Sequence, residues 1–246
     1  MAITDLASMV KTSPVTVRRD LRVLEQKGLL DRRHGGAVSL DRSTYEPSYS
    51  EKSHVAASEK AAIGDLASSL VQDGDVIAIG AGSTTQALAR RIARRRELTV
   101  MTNSLLVAQV LARSQGIDVV MTGGNLRGSI FALVGTGAEQ SLANMRTRRV
   151  FLSGNGLSPE RGLSTPSPLV AGVDRAIVAT AQEVVVLADH TKLGVEAMVQ
   201  TVAVERITHL VTNDQAPADL VSRFRDRGVI VHVAGTEREH EGDDRN

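Results

Sequence analysis

Short runs of β-branched and other apolar residues recur through most of this chain, separated by segments with helical periodicity. Continuous apolar runs are typical of strands buried on both faces of a parallel sheet. Regular alternation of such strands with helices indicates a doubly wound α/β fold with a parallel, Rossmann-like sheet. The predicted strands are Val76–Ile79, Leu98–Met101, Asp118–Met121, Val150–Leu152, Val184–Leu187, His209–Val211 and Val229–Val233. The predicted helices are Glu59–Leu70, Thr85–Ala93, Ser104–Ala112, Glu139–Met145, Val170–Ala181 and Leu220–Arg227.

Small hydroxyl, amide and glycine residues follow nearly every predicted strand, at the edge where parallel sheets bind ligands. The glycine-rich loop Gly80–Thr85 opens a helix, whose N-terminal N–H groups and dipole favour an anion. Lys192 adds a positive charge. These residue types predict a site for a small, polyhydroxylated, phosphorylated molecule, best a sugar phosphate. The same types also cap helices and form turns, so any one of these loops considered alone is more often structural.

Cofactor, metal and catalytic sites are disfavoured by the same motifs. A dinucleotide fingerprint would need a third glycine where Thr85 stands, and the chain has no P-loop Gly-Lys-Ser/Thr. There are no cysteines, and the six histidines lack a paired helical spacing, so we expect neither a metal nor a cofactor. Sugar-phosphate isomerisation, the enzymatic alternative, needs a carboxylate base, and among the strand ends only Asp189 and Asp214 could serve.

Residues 1–40 have the pattern of a small DNA-binding unit. Ser13-Pro14 suits the start of a helix that buries Val17, Leu21 and Leu24 and exposes its arginines. A preceding amphipathic segment from Ile3 to Val10 completes a helix-turn-helix, and residues 29–38 predict a two-stranded wing. This stretch carries a net charge of +3 whereas the whole chain carries +1, as DNA phosphates require. The candidate DNA contacts are Thr16, Arg18, Arg19, Arg22, Arg32, Arg33 and His34.

Composition divides the chain into two predicted domains with a connection and a tail. We predict a winged helix-turn-helix over 1–40, a polar linker over 41–57, an effector domain over 58–234 and a disordered acidic tail over 235–246. The chain is 42% apolar and 23% charged, which is typical of a soluble globular protein. It shows neither a signal peptide nor an apolar run of membrane-spanning length, so we expect a cytoplasmic protein with no membrane partner.

Two sets of motifs, one in each predicted domain, resemble the DeoR family of bacterial transcriptional regulators. The first comprises Thr16-Val17-Arg18-Arg19-Asp20-Leu21, Leu24-Glu25, Gly28-Leu29-Leu30 and His34-Gly35-Gly36-Ala37. The second comprises Glu59-Lys60, Asp73-Gly74-Asp75, Gly82-Ser83-Thr84-Thr85, Leu98-Thr99-Val100, Thr102-Asn103-Ser104, Gly123-Gly124 with Leu126-Arg127, Gly156, Gly162-Leu163-Ser164 and Ala188-Asp189 with Lys192.

The resemblance implies an effector domain similar in fold to ribose-5-phosphate isomerase that senses phosphorylated sugars or sugar acids. It places a phosphate on Gly82–Thr85 and Lys192, with Asn103, Gly124 and Asn155 near the sugar. The candidate ligand contacts are Gly82, Ser83, Thr84, Thr85, Asn103, Ser104, Gly123, Gly124, Asn155, Gly156, Asp189 and Lys192.

Three features depart from the family pattern. Asn155 stands where the family usually has Asp, and Asp174 stands where a Lys is usual, so the inducer is expected to differ from the usual one or to bind weakly. The helix that normally precedes the bracing helix has no counterpart before Ile3. We therefore expect either a true start further upstream or a DNA-binding domain that folds poorly.

The function expected from these features is that of a DNA-binding transcription regulator, a repressor of carbohydrate metabolism genes. Its partners would be a double-stranded DNA operator and a phosphorylated sugar effector, and it would act as a homo-oligomer. The alternative is a protein of the same fold that does not bind DNA, either a sugar-phosphate isomerase or a ligand-binding protein.

Overall fold

The computed structural model describes residues 2–10, 12–26, 30–33, 36–39 and 43–235, and the side chains of residues 23–42 lie outside that description. The N-terminal part consists of helices α1 (Ile3–Met9) and α2 (Pro14–Gln26) and the antiparallel strands β1 (Leu30–Arg33) and β2 (Gly36–Ser39). This order confirms the predicted helix-turn-helix with a wing. His34, the predicted helix stop at Gly28 and the tail from residue 236 lie outside the described residues.

The rest of the chain is built on a parallel sheet of seven strands in the order β5-β4-β3-β8-β11-β13-β14, which confirms the predicted α/β fold. Its strands are β3 (Val76–Ile79), β4 (Leu98–Thr102), β5 (Ile117–Met121), β8 (Thr147–Leu152), β11 (Ala181–Leu187), β13 (His209–Asn213) and β14 (Ile230–Ala234). The helices are α3 (Tyr49–His54), α4 (Ala57–Ser68), α5 (Ser83–Ile92), α6 (Leu105–Leu111), α7 (Thr136–Leu142), α8 (Pro168–Thr180) and α9 (Ala218–Asp226).

Alternate residues of each central strand enter two separate hydrophobic cores, one on each face of the sheet. In β3, Ile77 and Ile79 join the core formed with α4, α5 and α6, whereas Ala78 joins the core formed with α7, α8 and α9. Because both faces are covered, the central strands need apolar residues at consecutive positions. This requirement explains the uninterrupted apolar runs in the sequence.

The direction in which the chain winds reverses between β3 and β8. From β3 the chain proceeds outward through β4 to β5, then returns to β8 beside β3 and continues outward through β11, β13 and β14. In open parallel sheets, the crevice at such a reversal, beyond the carboxyl ends of the strands, is the usual ligand site. The topology therefore directs attention to the loops that follow β3 and β8.

Several short elements have no counterpart in the sequence prediction. They are the hairpin of β6 (Asn125–Arg127) and β7 (Ala132–Val134), and the three-stranded antiparallel sheet of β9 (Gly156–Ser158), β10 (Gly162–Thr165) and β12 (Val199–Val202). These strands are three or four residues long, and several contain glycine, serine or threonine, so their period-2 signal is weak. Helix α3 lies inside the predicted linker. Because this segment is polar, it has no apolar periodicity from which a helix would be predicted.

Candidate functional site

The exposed face of α2 carries the arginines predicted to contact DNA. Val17 and Leu21 are buried against Ala7 of α1, so Thr16, Arg18, Arg19 and Arg22 are left exposed on the remaining surface. The Ser13 hydroxyl accepts a hydrogen bond from the Thr16 N–H at 3.1 Å, which confirms the predicted N-cap. Arg32 and Arg33 lie in β1, but the directions of their side chains, like the whole of His34, fall outside the described residues.

A cleft of about 660 Å³, counted with the solvent at its mouth, lies at the reversal point of the sheet. Three loops contribute to it, namely those after β3 (Ala81–Thr84), β8 (Ser153–Asn155) and β11 (Asp189 and Lys192). We refer to this cleft as the effector pocket.

The N-terminus of α5 forms one wall of the effector pocket. The first intrahelical bond runs from the Gln86 N–H to the Gly82 carbonyl at 3.0 Å, so the N–H groups of Ser83 and Thr84 precede the hydrogen-bond ladder. Such groups, together with the helix dipole, bind anions such as phosphate. Gly82 permits the close approach of the two loops here, because a Cβ atom at this position would lie 2.1 Å from the Ser153 hydroxyl oxygen.

Lysine is rare in this chain and is concentrated at the effector pocket. The chain has five lysines among 29 Lys and Arg residues, and the three with described side chains, Lys52, Lys60 and Lys192, all line the pocket. Elsewhere the chain uses arginine for most of its positive charge. A lysine ammonium is a compact charge with rotatable donors, which suits recognition of a small anion inside a cleft.

Lys60 has a structural role at this site. Its ammonium donates to the carbonyls of Lys52 at 2.5 Å and Val55 at 2.6 Å, and lies 3.9 Å from the Asp189 carboxylate. The α3–α4 turn that these bonds brace contains Ala56 in the left-handed conformation, with φ of 52°. Burial lowers the pKa of Lys60 to about 8, although the neighbouring Asp189 carboxylate opposes this shift.

Two further ionisable groups with strongly shifted pKa values face the pocket. Burial lowers the pKa of Lys52 to about 8, against the opposing effect of Glu46. Burial also raises the pKa of Asp174, on α8, to about 7, against the opposing effect of Lys52. Shifted pKa values caused by burial together with a charged neighbour, clustered in a cleft, are characteristic of functional sites.

Residues 43–57, within the predicted linker, supply one side of the pocket. Glu46, Tyr49 and Lys52 all line it. The Glu46 carboxylate accepts from Arg127 Nε at 2.6 Å. Tyr49 hydrogen-bonds to Gln86 of α5 and packs edge-to-face on a phenylalanine ring at a centroid distance of 5.8 Å. This segment is therefore part of the pocket as well as the connection toward the N-terminal domain.

Half of the predicted ligand contacts line the effector pocket: Gly82, Ser83, Thr84, Asn155, Asp189 and Lys192. The other half lie elsewhere: Thr85, Asn103, Ser104, Gly123, Gly124 and Gly156.

The structural roles of these six residues explain why the sequence has small polar residues or glycine at these positions. The Thr85 hydroxyl donates to the Gly82 carbonyl, and Ser104 caps α6. Asn103 is buried and donates to the Leu133 carbonyl at 3.2 Å, while its side-chain oxygen has no partner among the described residues. The three glycines lie at turns or close backbone contacts. Gly124 has φ of +109°, a conformation that favours glycine, and Gly156 approaches the Val195 carbonyl.

Five ionisable residues of the pocket were not among the predicted contacts: Glu46, Tyr49, Lys52, Lys60 and Asp174. A sequence signal for α3 was available, because Ser48 and Glu51 form a capping box in which each side chain bonds the other residue's backbone N–H. That Ser-x-x-Glu pattern would have placed a helix start within the linker and directed attention to the residues that follow.

Two sequence families match this chain. The family described as the DeoR C terminal sensor domain matches residues 55–214, and the DeoR-like helix-turn-helix domain matches residues 1–43. The chain belongs to the DeoR family.

Three curated relatives match this DeoR protein over nearly their whole lengths. The HTH-type transcriptional repressor CsqR of Escherichia coli (strain K12) is 32% identical, covering 94% of this chain and 88% of its own. The transcriptional repressor AccR of Agrobacterium fabrum is 32% identical, covering 87% and 83%. The HTH-type transcriptional regulator GlpR of Haloferax volcanii is 35% identical, covering 94% and 90%. This DeoR protein is accordingly a DNA-binding transcription regulator and not an enzyme.

Several solved structures overlap with about half of this chain. The ribose 5-phosphate isomerase A of Methanocaldococcus jannaschii is 20% identical, with a TM-score of 0.41 over 55% of this chain and 53% of its own. This overlap is too low to support a functional comparison. Within the described ranges, no helix has the length and apolar character needed to cross a membrane. In the same part of the chain, no group of three or more metal-ligating side chains comes together.

Proposed function

We propose that this DeoR protein is a transcriptional repressor whose affinity for a DNA operator is controlled by a phosphorylated sugar or related metabolite in the effector pocket. The observation that carries the proposal is the convergence of the α5 N-terminus with Lys52 and Lys192 in one cleft. This arrangement offers backbone donors and positive charges to a phosphate. Polar groups from Asn155 and Thr165 line the same cleft and suit hydroxyl groups.

On the DNA side, α2 would lie in the major groove as the recognition helix of a helix-turn-helix. Arg18, Arg19 and Arg22 are exposed, as contacts with guanine or phosphate require. Such domains bind repeated half-sites as dimers or larger assemblies, which is why we propose a homo-oligomer. Because the operator lies on chromosomal DNA, we propose that the protein acts in the cytoplasm. The relatives named as repressors support repression as the direction of regulation.

Coupling between the two sites would run through residues 43–57. Glu46, Tyr49 and Lys52 line the pocket and belong to the segment that leads from the N-terminal domain into α4. A ligand that contacts Lys52 would favour one position of α3 over others. Differential affinity of this kind is what an effector needs in order to shift a regulatory equilibrium.

A thermal-shift screen over phosphorylated sugars and their unphosphorylated forms tests the effector side of the proposal. Because a ligand of the folded state raises the unfolding midpoint by mass action, we expect a rise with at least one phosphorylated member and none with its unphosphorylated form. Lys192→Ala should abolish the rise. The control is Arg113→Ala, which removes an exposed cation outside the pocket and should preserve it. Equal midpoints for all compounds, or an undiminished rise in Lys192→Ala, would contradict the proposal.

A further inference from the structure

The Asp174 carboxyl group lines the effector pocket, where Lys52 is its favourable charged neighbour but does not pair with it directly. Asp174 is 5% exposed, yet no described residue makes a hydrogen bond or an ion pair with it. The other pocket carboxylates have ion-pair partners among the described residues: Glu46 binds Arg127, and Asp189 lies 3.9 Å from the Lys60 ammonium. Asp189 also accepts from the Thr191 N–H at 3.0 Å through Oδ1, while its Oδ2 makes no hydrogen bond to a described residue. A buried carboxylate that lacks a hydrogen bond carries a large desolvation cost, so Asp174 calls for a donor that the described residues do not supply.

The charges of the pocket walls point to the same requirement. When Asp174 is ionised, as binding of a cation requires, the charges of three lysines and three carboxylates cancel: Lys52, Lys60 and Lys192 against Glu46, Asp174 and Asp189. Arg127, paired with Glu46, brings the total to +1. A phosphate monoester carries about two negative charges at neutral pH, as a phosphorylated side chain does. Such a ligand alone would leave the site with an excess negative charge, whereas one that also carries an ammonium group would balance it.

We propose, on the basis of the proposed function, that the effector is a phosphorylated amine, a phosphate monoester with an ammonium group that binds the Asp174 carboxylate. The phosphate lies at the α5 N-terminus with Lys192 and Lys52, and the ammonium lies at α8. Asp174 is thus the residue that selects an amino-bearing sugar phosphate over its hydroxyl counterpart. A charge-assisted hydrogen bond in a desolvated cleft is strong enough for this selection.

Because Asp174 is buried, an ammonium group suits it better as a hydrogen-bond donor than a sugar hydroxyl group does. A neutral hydroxyl supplies a hydrogen bond but leaves the negative charge in the cleft uncompensated. The pKa of this carboxyl is raised by burial in the empty pocket, so its charged form is the disfavoured one until a cation arrives. An ammonium group supplies the hydrogen-bond donor and also neutralises the negative charge.

Isothermal titration calorimetry on the full chain with matched ligand pairs tests the proposal. The probes are glucosamine 6-phosphate against glucose 6-phosphate and galactosamine 6-phosphate against galactose 6-phosphate, with inorganic phosphate as the common fragment. We expect at least one amino form to bind about tenfold or more tighter than its hydroxyl partner. Asp174→Asn should remove that preference while keeping affinity for the hydroxyl form. Asp118→Asn, at an exposed site on β5, is the matched control and should keep the preference.

The remaining outcomes separate this proposal from the proposed function. Hydroxyl forms that bind as tightly as amino forms, or a preference that survives Asp174→Asn, would overturn the phosphorylated-amine assignment and leave the phosphate site intact. Absence of binding by every phosphorylated probe would overturn both. Retained binding of the hydroxyl form by Asp174→Asn also shows that the variant is folded, so that a lost preference reports on the carboxylate.

Discussion

Asp174→Asn should stabilise the unliganded protein, although it removes a charged residue from the pocket. The side chain is 5% exposed and lacks a hydrogen-bond or ion-pair partner among the described residues. Asparagine has nearly the same shape but carries no charge, so it avoids the desolvation cost of the carboxylate. The expected gain follows from the difference between the pKa of this group in the folded and unfolded chain.

Folding raises the pKa of Asp174 from 3.8 to about 7. Between these values the folded state binds more protons than the unfolded state, so stability falls as the pH rises. About three pH units at about 1.4 kcal/mol each give a cost of roughly 4 kcal/mol at pH 8. At pH 5 the unfolded group is largely ionised while the folded group is protonated, and the cost is about 2 kcal/mol.

Equilibrium urea unfolding followed by circular dichroism, on parent and variant at both pH values, measures this difference. We expect Asp174→Asn to be more stable by about 4 kcal/mol at pH 8 and by about 2 kcal/mol at pH 5. Lys60 and His209 do not interact with Asp174, so their titration cancels in the difference. Lys52 does interact with Asp174, so its pKa falls further in the variant, and this change is part of the difference measured at pH 8. A difference that is the same at both pH values, or a parent that is the more stable protein, would show that the carboxylate has a partner in the empty pocket.

Three other substitutions test the pocket and the recognition helix. Gly82→Ala should force the Ser153 hydroxyl, which its Cβ would meet at 2.1 Å, out of its present position, should lower the free energy of unfolding by about 1 kcal/mol, and should reduce the ligand-induced rise in melting temperature. Gly128→Ala, in open space, should change neither quantity. Lys60→Met should lower the free energy of unfolding in urea by about 3 kcal/mol, because it leaves the buried Asp189 carboxylate and two backbone carbonyls without their partner. An unfolding midpoint equal to that of the parent would contradict the bracing role of Lys60. Ser13→Ala should weaken DNA binding and destabilise α2 by about 1 kcal/mol, and unchanged anisotropy titrations would refute the importance of this cap.

The sheet could be predicted from the sequence because its strands carry strong local signals. β3 has the predicted bounds, and the remaining strands differ from prediction mainly by residues at their ends, where polar side chains interrupt the apolar runs. Because these strands are buried on both faces, they need uninterrupted apolar runs, and those runs are what the sequence shows. Short glycine- and serine-containing strands such as β9 lack this signal, and tertiary contacts decide their conformation.

The pocket could be predicted only in part, because strand order is not a local property. Loops after all the strands have similar composition, but only those after β3, β8 and β11 converge on the effector pocket. Strands β4 and β5 lie on the far side of β3 from β8, which is why Asn103, Gly123 and Gly124 do not line it. The contribution of α3 could not be inferred from its composition, which is that of a polar connection.

Fluorescence anisotropy of a labelled operator, selected from a pool of random duplexes, measures the link between pocket and DNA most directly. Titrations with and without the sugar phosphate identified by thermal shift should give operator affinities that differ by about fivefold or more. Lys192→Ala should bind the operator with the affinity of the parent, and addition of the ligand should leave that affinity unchanged. If the ligand bound to the parent without changing operator affinity, the effector pocket would not be the regulatory site of this DeoR protein.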